Sequence, residues 1–218
     1  MKPLSHYKAL IFDMDGTLVD NMHYHHDAWM QFIDAKQLGI DAETFERDYH
    51  KGTIVEVMAR FFPHLKTEEA LRAVGNEKEA LYRDTFGSLL QPLPGLHSFF
   101  QYLKTLDIPL GLATMGDQNN LDMTLKQLKI EAYFHSTTGG DQVTKGKPHP
   151  EIFLRAAAKI QMAPEHCLAF EDTLSGIQSA QAAGMDVVGV ATQFSKQQLL
   201  DLGCVSAIAD YTEMVLES

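Results

Sequence analysis

The stretch Ala9-Leu10-Ile11-Phe12-Asp13-Met14-Asp15-Gly16-Thr17 decides how this chain is read. Four apolar residues stopped at once by acids have the length and composition of a buried parallel strand. The aspartates then fall at the carboxyl end of that strand, where open α/β sheets bind their ligands. Residues two apart in extended chain point the same way, so both carboxylates face one pocket. Gly16 permits a sharp turn and a close approach of backbone to ligand. Converging carboxylates repel, and hard oxygen donors of this kind are best reconciled around a cation such as Mg²⁺. Taken alone, Asp-x-Asp-Gly reads as readily as an Asp-Gly turn with solvated acids. A helix–loop–helix calcium site does not fit, because Thr17-Leu18-Val19 turns apolar where further oxygen ligands are needed.

Working outward, compact apolar runs recur at 110–113, 168–170 and 187–191, with weaker candidates at 134–138 and 207–209. Amphipathic stretches fall between them at 96–106, 121–128, 151–160, 176–183 and 196–202. Strand alternating with helix predicts an α/β fold built on a doubly wound parallel sheet. Residues 21–91 break the rhythm. Their apolar residues are spaced helically: Trp29, Phe32 and Ile33, then Val55, Met58, Ala59 and Phe62, then Ala70, Leu71, Val74 and Leu81. Pro92-Leu93-Pro94-Gly95 closes the stretch with stiff punctuation suited to a hinge. The expectation is a catalytic core of residues 1–20 and 92–218, with 21–91 inserted as a helical cap, or lid.

The composition suits a globular chain that folds without a disulfide framework. Of 218 residues, 45% are apolar and 22% charged. The two cysteines, Cys167 and Cys204, sit in apolar runs and read as reduced core residues. Lys plus Arg number 18 and Asp plus Glu 29, a net charge of −11. Such a chain is a poor general binder of nucleic acid or anionic membrane. The apolar run 9–12 is too short for a signal-peptide core or a membrane span, so the expected location is cytoplasmic.

Three further strand ends carry matching chemistry. The run 110–113 ends in Thr114, followed by Met115-Gly116-Asp117 before a helix: a hydroxyl and amide donors suited to a phosphate oxygen. Lys147, in Lys145-Gly146-Lys147-Pro148-His149-Pro150, lies where two prolines stiffen the chain, and there it can neutralise phosphate and pair with a carboxylate. The run 168–170 ends in Glu171-Asp172, two more acids for a metal. Each piece has a plainer reading as a helix cap, a solvated loop charge or an acidic helix N-terminus. Four strand ends carrying one chemistry outweigh those readings.

In these residues the chain resembles the haloacid dehalogenase superfamily, essentially along its whole length. Asp13-x-Asp15-Gly16-Thr17, Thr114, Lys147 and Glu171-Asp172 look like its four motifs. Phe170-Glu171-Asp172-Thr173-x-x-Gly176-Ile177, Ala182-Ala183-Gly184-Met185 and Gly146-Lys147-Pro148-x-Pro150 are the most specific parts. The helical insertion is similar to the family's cap, and Asp20, Tyr24-His25 and Ala28-Trp29 are similar to the β-phosphoglucomutase branch. The resemblance implies that Asp13 is a nucleophile forming an aspartyl-phosphate and that Asp15 is the general acid and base. It implies Mg²⁺ held by Asp13, the Asp15 backbone carbonyl and Asp172, with Glu171 as a further or outer ligand. Thr114, the amides of Met115 and Gly116, and Lys147 would hold phosphate oxygens.

The expected activity is a Mg²⁺-dependent phosphomonoesterase acting, as a monomer, on a small phosphorylated metabolite such as a sugar phosphate. A β-phosphoglucomutase-like phosphotransferase is the alternative. His25 and Lys78 match cap residues of that branch, and Lys51-Gly52 matches its cap loop; Val55 stands where a phosphate-gripping arginine is expected, with Arg60 a turn or more further on. Lys78 reads equally as a solvated helix charge. The spacing of His23, His25 and His26, with no nearby cysteine, does not suit zinc. Trp29 and Phe61-Phe62 read as helical core. A non-enzymatic phospho-receiver domain is a remote alternative, disfavoured by the length and the insertion. Acid-halide dehalogenation would leave Asp15 without a use.

Overall fold

The computed structural model describes residues 3–48 and 52–214, so Lys51 of the expected cap loop lies outside the described residues. The chain divides into two compact units, Met1–Asp20 with Leu90–Ser218, and Asn21–Leu89. The second unit stops at Leu89 rather than Gln91. Leu90 is itself buried, and Val19 bridges to Pro92, so residues 90–92 belong with the sheet unit.

The unit Asn21–Leu89 is helical among its described residues: α1 (Met22–Ala35), α2 (Ala42–Asp48), α3 (Ile54–Phe61) and α4 (Glu68–Phe86). Capping explains where α3 starts. The Thr53 hydroxyl accepts from Glu56 N–H at 3.3 Å while Glu56 Oε2 accepts from Thr53 N–H at 2.6 Å, satisfying two donors that a helix start leaves open. The apolar stripes meet in one cluster of Trp29, Phe32, Ile33, Phe45, Val57, Met58, Phe61 and Leu71.

The other unit holds six strands: β1 (Ala9–Phe12), β2 (Leu110–Ala113), β3 (Ser136–Thr138), β4 (Cys167–Glu171), β5 (Asp186–Val190) and β6 (Ser206–Ile208). Every pairing is parallel, in the order β3-β2-β1-β4-β5-β6. The predicted doubly wound sheet is therefore present. Its order is not the 2-1-3-4-5 arrangement of receiver domains, which removes that reading. Between the strands run α5 (Leu96–Thr105), α6 (Gln118–Leu128), α7 (Glu151–Lys159), α8 (Leu174–Ala182) and α9 (Lys196–Asp201). Helix α6 starts three residues ahead of its apolar stripe because Asp117 caps it, Oδ1 accepting from Asn120 N–H at 2.8 Å.

β1 is buried along its whole length between β2 and β4. Phe12 stacks on Phe170 at 4.5 Å and meets Phe99, Phe100 and Tyr211 on one face. Ile11 and Ala169 pack with Ile152, Phe153 and Ile177 on the other. Strand order reverses at β1, so its carboxyl end opens on the crevice where ligands bind in such sheets. Cys167 and Cys204 are free and buried, and burial pushes both thiols up to about 11. Among the described residues no helix is long and apolar enough to cross a membrane.

Candidate active site

β1–β4 pairing runs one residue past the strand: Asp13 N–H donates to the Phe170 carbonyl at 3.0 Å. That bond sets Asp13 beside Glu171, the last residue of β4. Lys147 then ties three strand ends together. Its Nζ lies 2.6 Å from Asp13 Oδ1, 2.7 Å from Glu171 Oε1 and 3.2 Å from the Ala113 carbonyl. An ammonium has three donors, and all three are used at the ends of β1, β4 and β2.

The loop that brings Lys147 in is clamped from two sides. Glu151, in the first turn of α7, accepts from Thr144 Oγ1 at 2.8 Å and from Lys145 N–H at 3.1 Å. The Ser179 hydroxyl donates to the His149 carbonyl at 2.7 Å.

The acids at the end of β4 divide the work. Glu171 Oε2 accepts from Asp172 N–H, Thr173 N–H and Thr173 Oγ1 at 2.8, 2.9 and 3.1 Å, while Oε1 takes the lysine. Both oxygens are engaged within the protein, so Glu171 anchors Lys147 at the end of β4. Its carboxylate lies over Gly176, where an added Cβ would come within 1.7 Å of Oε1. This explains the Glu-Asp-Thr-x-x-Gly spacing. Asp172 Oδ1 accepts from the Thr17 hydroxyl at 3.1 Å.

Oxygen atoms of Asp13, Glu171 and Asp172 all lie within 4.8 Å of one another, and all three residues are buried. Three carboxylates face one ammonium. Burial raises the Asp13 carboxyl to about 8, Lys147 opposing and Glu171 and Asp15 adding to the rise. Burial, then Glu171 and Asp13, raise Asp172 well above the carboxylate range. Burial disfavours the charge on Lys147, yet Asp13 and Glu171 hold its proton above the ordinary lysine value. An excess of buried negative charge is costly unless matched. The cluster therefore takes up a proton or a cation, and its all-oxygen donor set fits a hard divalent ion.

A family model described as haloacid dehalogenase-like hydrolase matches residues 7–184. The chain belongs to that family. A phosphorylated carbohydrates phosphatase of Thermotoga maritima is 30% identical over 92% of this chain and 94% of its own length. A β-phosphoglucomutase of Bacillus subtilis is 33% identical over 84% of this chain and 83% of its own. The crystal structure of a family IA, variant 3 hydrolase from Entamoeba histolytica superposes with TM-score 0.84 and 29% identity, covering 96% of each chain.

In this haloacid dehalogenase-like hydrolase, the other expected residues fall as follows. Asp15 is half-buried on the turn after Asp13, and its carboxylate is not part of the three-acid cluster. Thr114 is buried just past β2, its N–H donating to the Thr138 carbonyl at 3.0 Å. The Gly116 amide donates to Thr114 Oγ1 at 3.0 Å, within the turn that follows β2. Met115, beside it, is half-buried.

His25 and Lys78 lie in the helical unit. The His25 ring stacks on Tyr82 at 3.9 Å. Lys78 is not a solvated helix charge: it is 1% exposed, its Nζ 4.6 Å from the centre of the Trp29 ring and 3.0 Å from Glu79 Oε1. Val55 and Arg60 both stand on α3, Arg60 exposed in its last turn.

Sequence reasoning missed Thr192 and Tyr211. The Thr192 hydroxyl donates to the Gly16 carbonyl at 2.6 Å, and Tyr211 Oη to the Thr17 carbonyl at 3.1 Å. A signal existed for Thr192, which directly follows the apolar run 187–191 and so stands at a fifth strand end. None existed for Tyr211.

Proposed function

We propose that this chain is a Mg²⁺-dependent phosphomonoesterase that hydrolyses a small sugar phosphate through a phosphorylated Asp13. The observation that carries the reading is the Lys147 ammonium bound at once to Asp13 and Glu171 beside Asp172. The Lys147 contact at 2.6 Å favours the ionised form of Asp13, which then attacks phosphorus in line as the ester oxygen leaves. Asp15, two residues on, gives its proton to the departing alkoxide. It then takes one from water, whose oxygen displaces phosphate from Asp13 and restores the carboxylate. Thr114 would hold a phosphate oxygen, and the positive charge of Lys147, fixed beside Asp13, would offset the charge that develops on the phosphoryl group. Asp13, Asp172 and the Asp15 carbonyl would hold Mg²⁺, which when bound offsets repulsion between a carboxylate and an anionic ester. The helical unit would act as the cap that excludes water and selects substrate, with His25 and Lys78 as its candidate contacts. Similarity to a protein named for phosphorylated carbohydrates supports the substrate class.

The test is turnover of a panel of phosphorylated sugars with Mg²⁺ and with chelator. Wild-type activity should vanish in chelator and return with Mg²⁺, and Asp13→Asn should be inert. An Asp13→Asn enzyme with full turnover refutes the nucleophile assignment. Likeness to a β-phosphoglucomutase favours a phosphotransferase as second reading. Conversion of β-glucose 1-phosphate to glucose 6-phosphate, dependent on added bisphosphate, would put that reading first.

A further inference from the structure

The family match ends at residue 184, but the catalytic turn is held from beyond it. Gly16 has φ +78°, and an added Cβ would sit 2.0 Å from Asp172 Oδ2, so this turn and Asp172 are in direct contact. They belong to different strands, β1 and β4, and like charges on Asp13, Glu171 and Asp172 push those strand ends apart. Two hydroxyls bridge the gap. Thr17 binds Asp172 Oδ1 at 3.1 Å. Thr192 binds the Gly16 carbonyl at 2.6 Å and stands 3.4 Å from Asp172 Oδ2.

We propose that Thr192 is a positioning residue for the divalent cation, keeping the Gly16 turn and the Asp172 carboxylate in register. The inference rests on the cation-dependent reading above. Thr192 is well placed for this because its own backbone is fixed. Its N–H donates to the Val190 carbonyl at 3.0 Å, and the Ala191 N–H to the Ile208 carbonyl at 2.8 Å, so the hydroxyl projects from a tight turn at the end of β5. The single hydroxyl proton has two acceptors. The Gly16 carbonyl lies at 2.6 Å and Asp172 Oδ2 at 3.4 Å, so one side chain touches both groups. Tyr211 braces the next carbonyl, that of Thr17, from a buried aromatic cluster.

The test compares wild type with Thr192→Val, Thr192→Ser and Tyr211→Phe. Binding of Mg²⁺ alone is measured by calorimetry, beside kcat and KM for a phosphate ester at saturating Mg²⁺. Loss of an outer partner commonly weakens metal binding about 10–100-fold, and Thr192→Val should show that range. Thr192→Ser, which keeps the hydroxyl, should stay within about 3-fold of wild type, and Tyr211→Phe should fall between the two. KM for the ester should hardly move, because the defect lies in the cation. Should Thr192→Val fail to fold, Thr192→Ala must show the same weakening. Mg²⁺ binding unchanged in Thr192→Val, or equally weak in Thr192→Ser, overturns the proposal and leaves the phosphatase reading standing. A wild type that does not bind Mg²⁺ at all overturns both together.

Discussion

Asp172→Asn should make the metal-free protein more stable while abolishing its response to Mg²⁺. Asp172 is fully buried, with oxygens of Asp13 and Glu171 within 4.8 Å. At that separation two unit charges interact by about 3.5 kcal/mol at an effective dielectric constant of about 20. Asp172 meets two such repulsions and one attraction, from Lys147, leaving about 3 kcal/mol against its charge. Asparagine keeps the shape and an oxygen to accept from Thr17, while its amide turns a repelled oxygen into a donor. Part of the penalty is already relieved by protonation in wild type, so the expected gain is about 1–3 kcal/mol. For a chain of this size that is a rise of about 3–8 °C in melting midpoint.

The pH dependence has a definite sign. In the folded state Asp172 ionises well above its ordinary value of 3.8, because of burial and then the neighbouring Glu171 and Asp13. From that ordinary value up to the raised one, the folded state keeps a proton that the unfolded chain has lost. Wild-type stability therefore falls as pH rises across that window. The gap between Asp172→Asn and wild type should be small near pH 5 and wide near pH 8. Mg²⁺ at about 100 times its dissociation constant should return about 2.7 kcal/mol to wild type and almost nothing to the variant. Thermal melts at both pH values, in chelator and in Mg²⁺, supply the comparison. An Asp172→Asn protein that melts below wild type at pH 8 in chelator, or gains as much from Mg²⁺, would refute the reasoning.

Lys147→Met should go the opposite way, since it strips the cluster of its ammonium and leaves Asp13 and Glu171 buried without it. The expected cost in chelator is about 3–5 kcal/mol, partly recovered by Mg²⁺ or lower pH, with turnover down about 10²-fold or more. A melt unchanged from wild type at pH 8 would show that Lys147 does not balance these acids. Gly16→Ala places a Cβ 2.0 Å from Asp172 Oδ2 at a backbone of φ +78°. It should lower stability by more than about 1 kcal/mol and turnover by about 10²-fold. Normal melting and normal turnover together would contradict the close packing of the turn on Asp172.

Much of the fold was legible because its signals are local. The apolar runs at 9–12 and 110–113 coincide with β1 and β2, since a strand buried on both faces must be apolar throughout. Helix starts were less legible. The first residues of α6 are polar, and it is the Asp117 cap that sets its beginning. Lys78 was ambiguous for a related reason. A lysine on a helix reads as solvated unless one knows that Trp29, 49 positions earlier, lays its ring beside it.

The sequence by itself determined the kind of chemistry. Aspartates, a threonine and an acid pair that close apolar runs, with a lysine in a proline-stiffened loop, suit a cation and a phosphate, and Gly16 marks where backbone can come close to a ligand. Only the tertiary structure decided which of these groups bind which. Lys147 meets Asp13 across 134 positions, Thr192 meets Gly16 across 176, and Tyr211 meets Thr17 across 194. Periodicity reports which face of a segment is buried, but not which segment lies beside it. That depends on strand order and register, which are settled by packing of the whole sheet. Hence Glu171 could be read as an acid at a strand end, and only the assembled sheet shows one of its oxygens on Lys147 while the other accepts from Asp172 and Thr173.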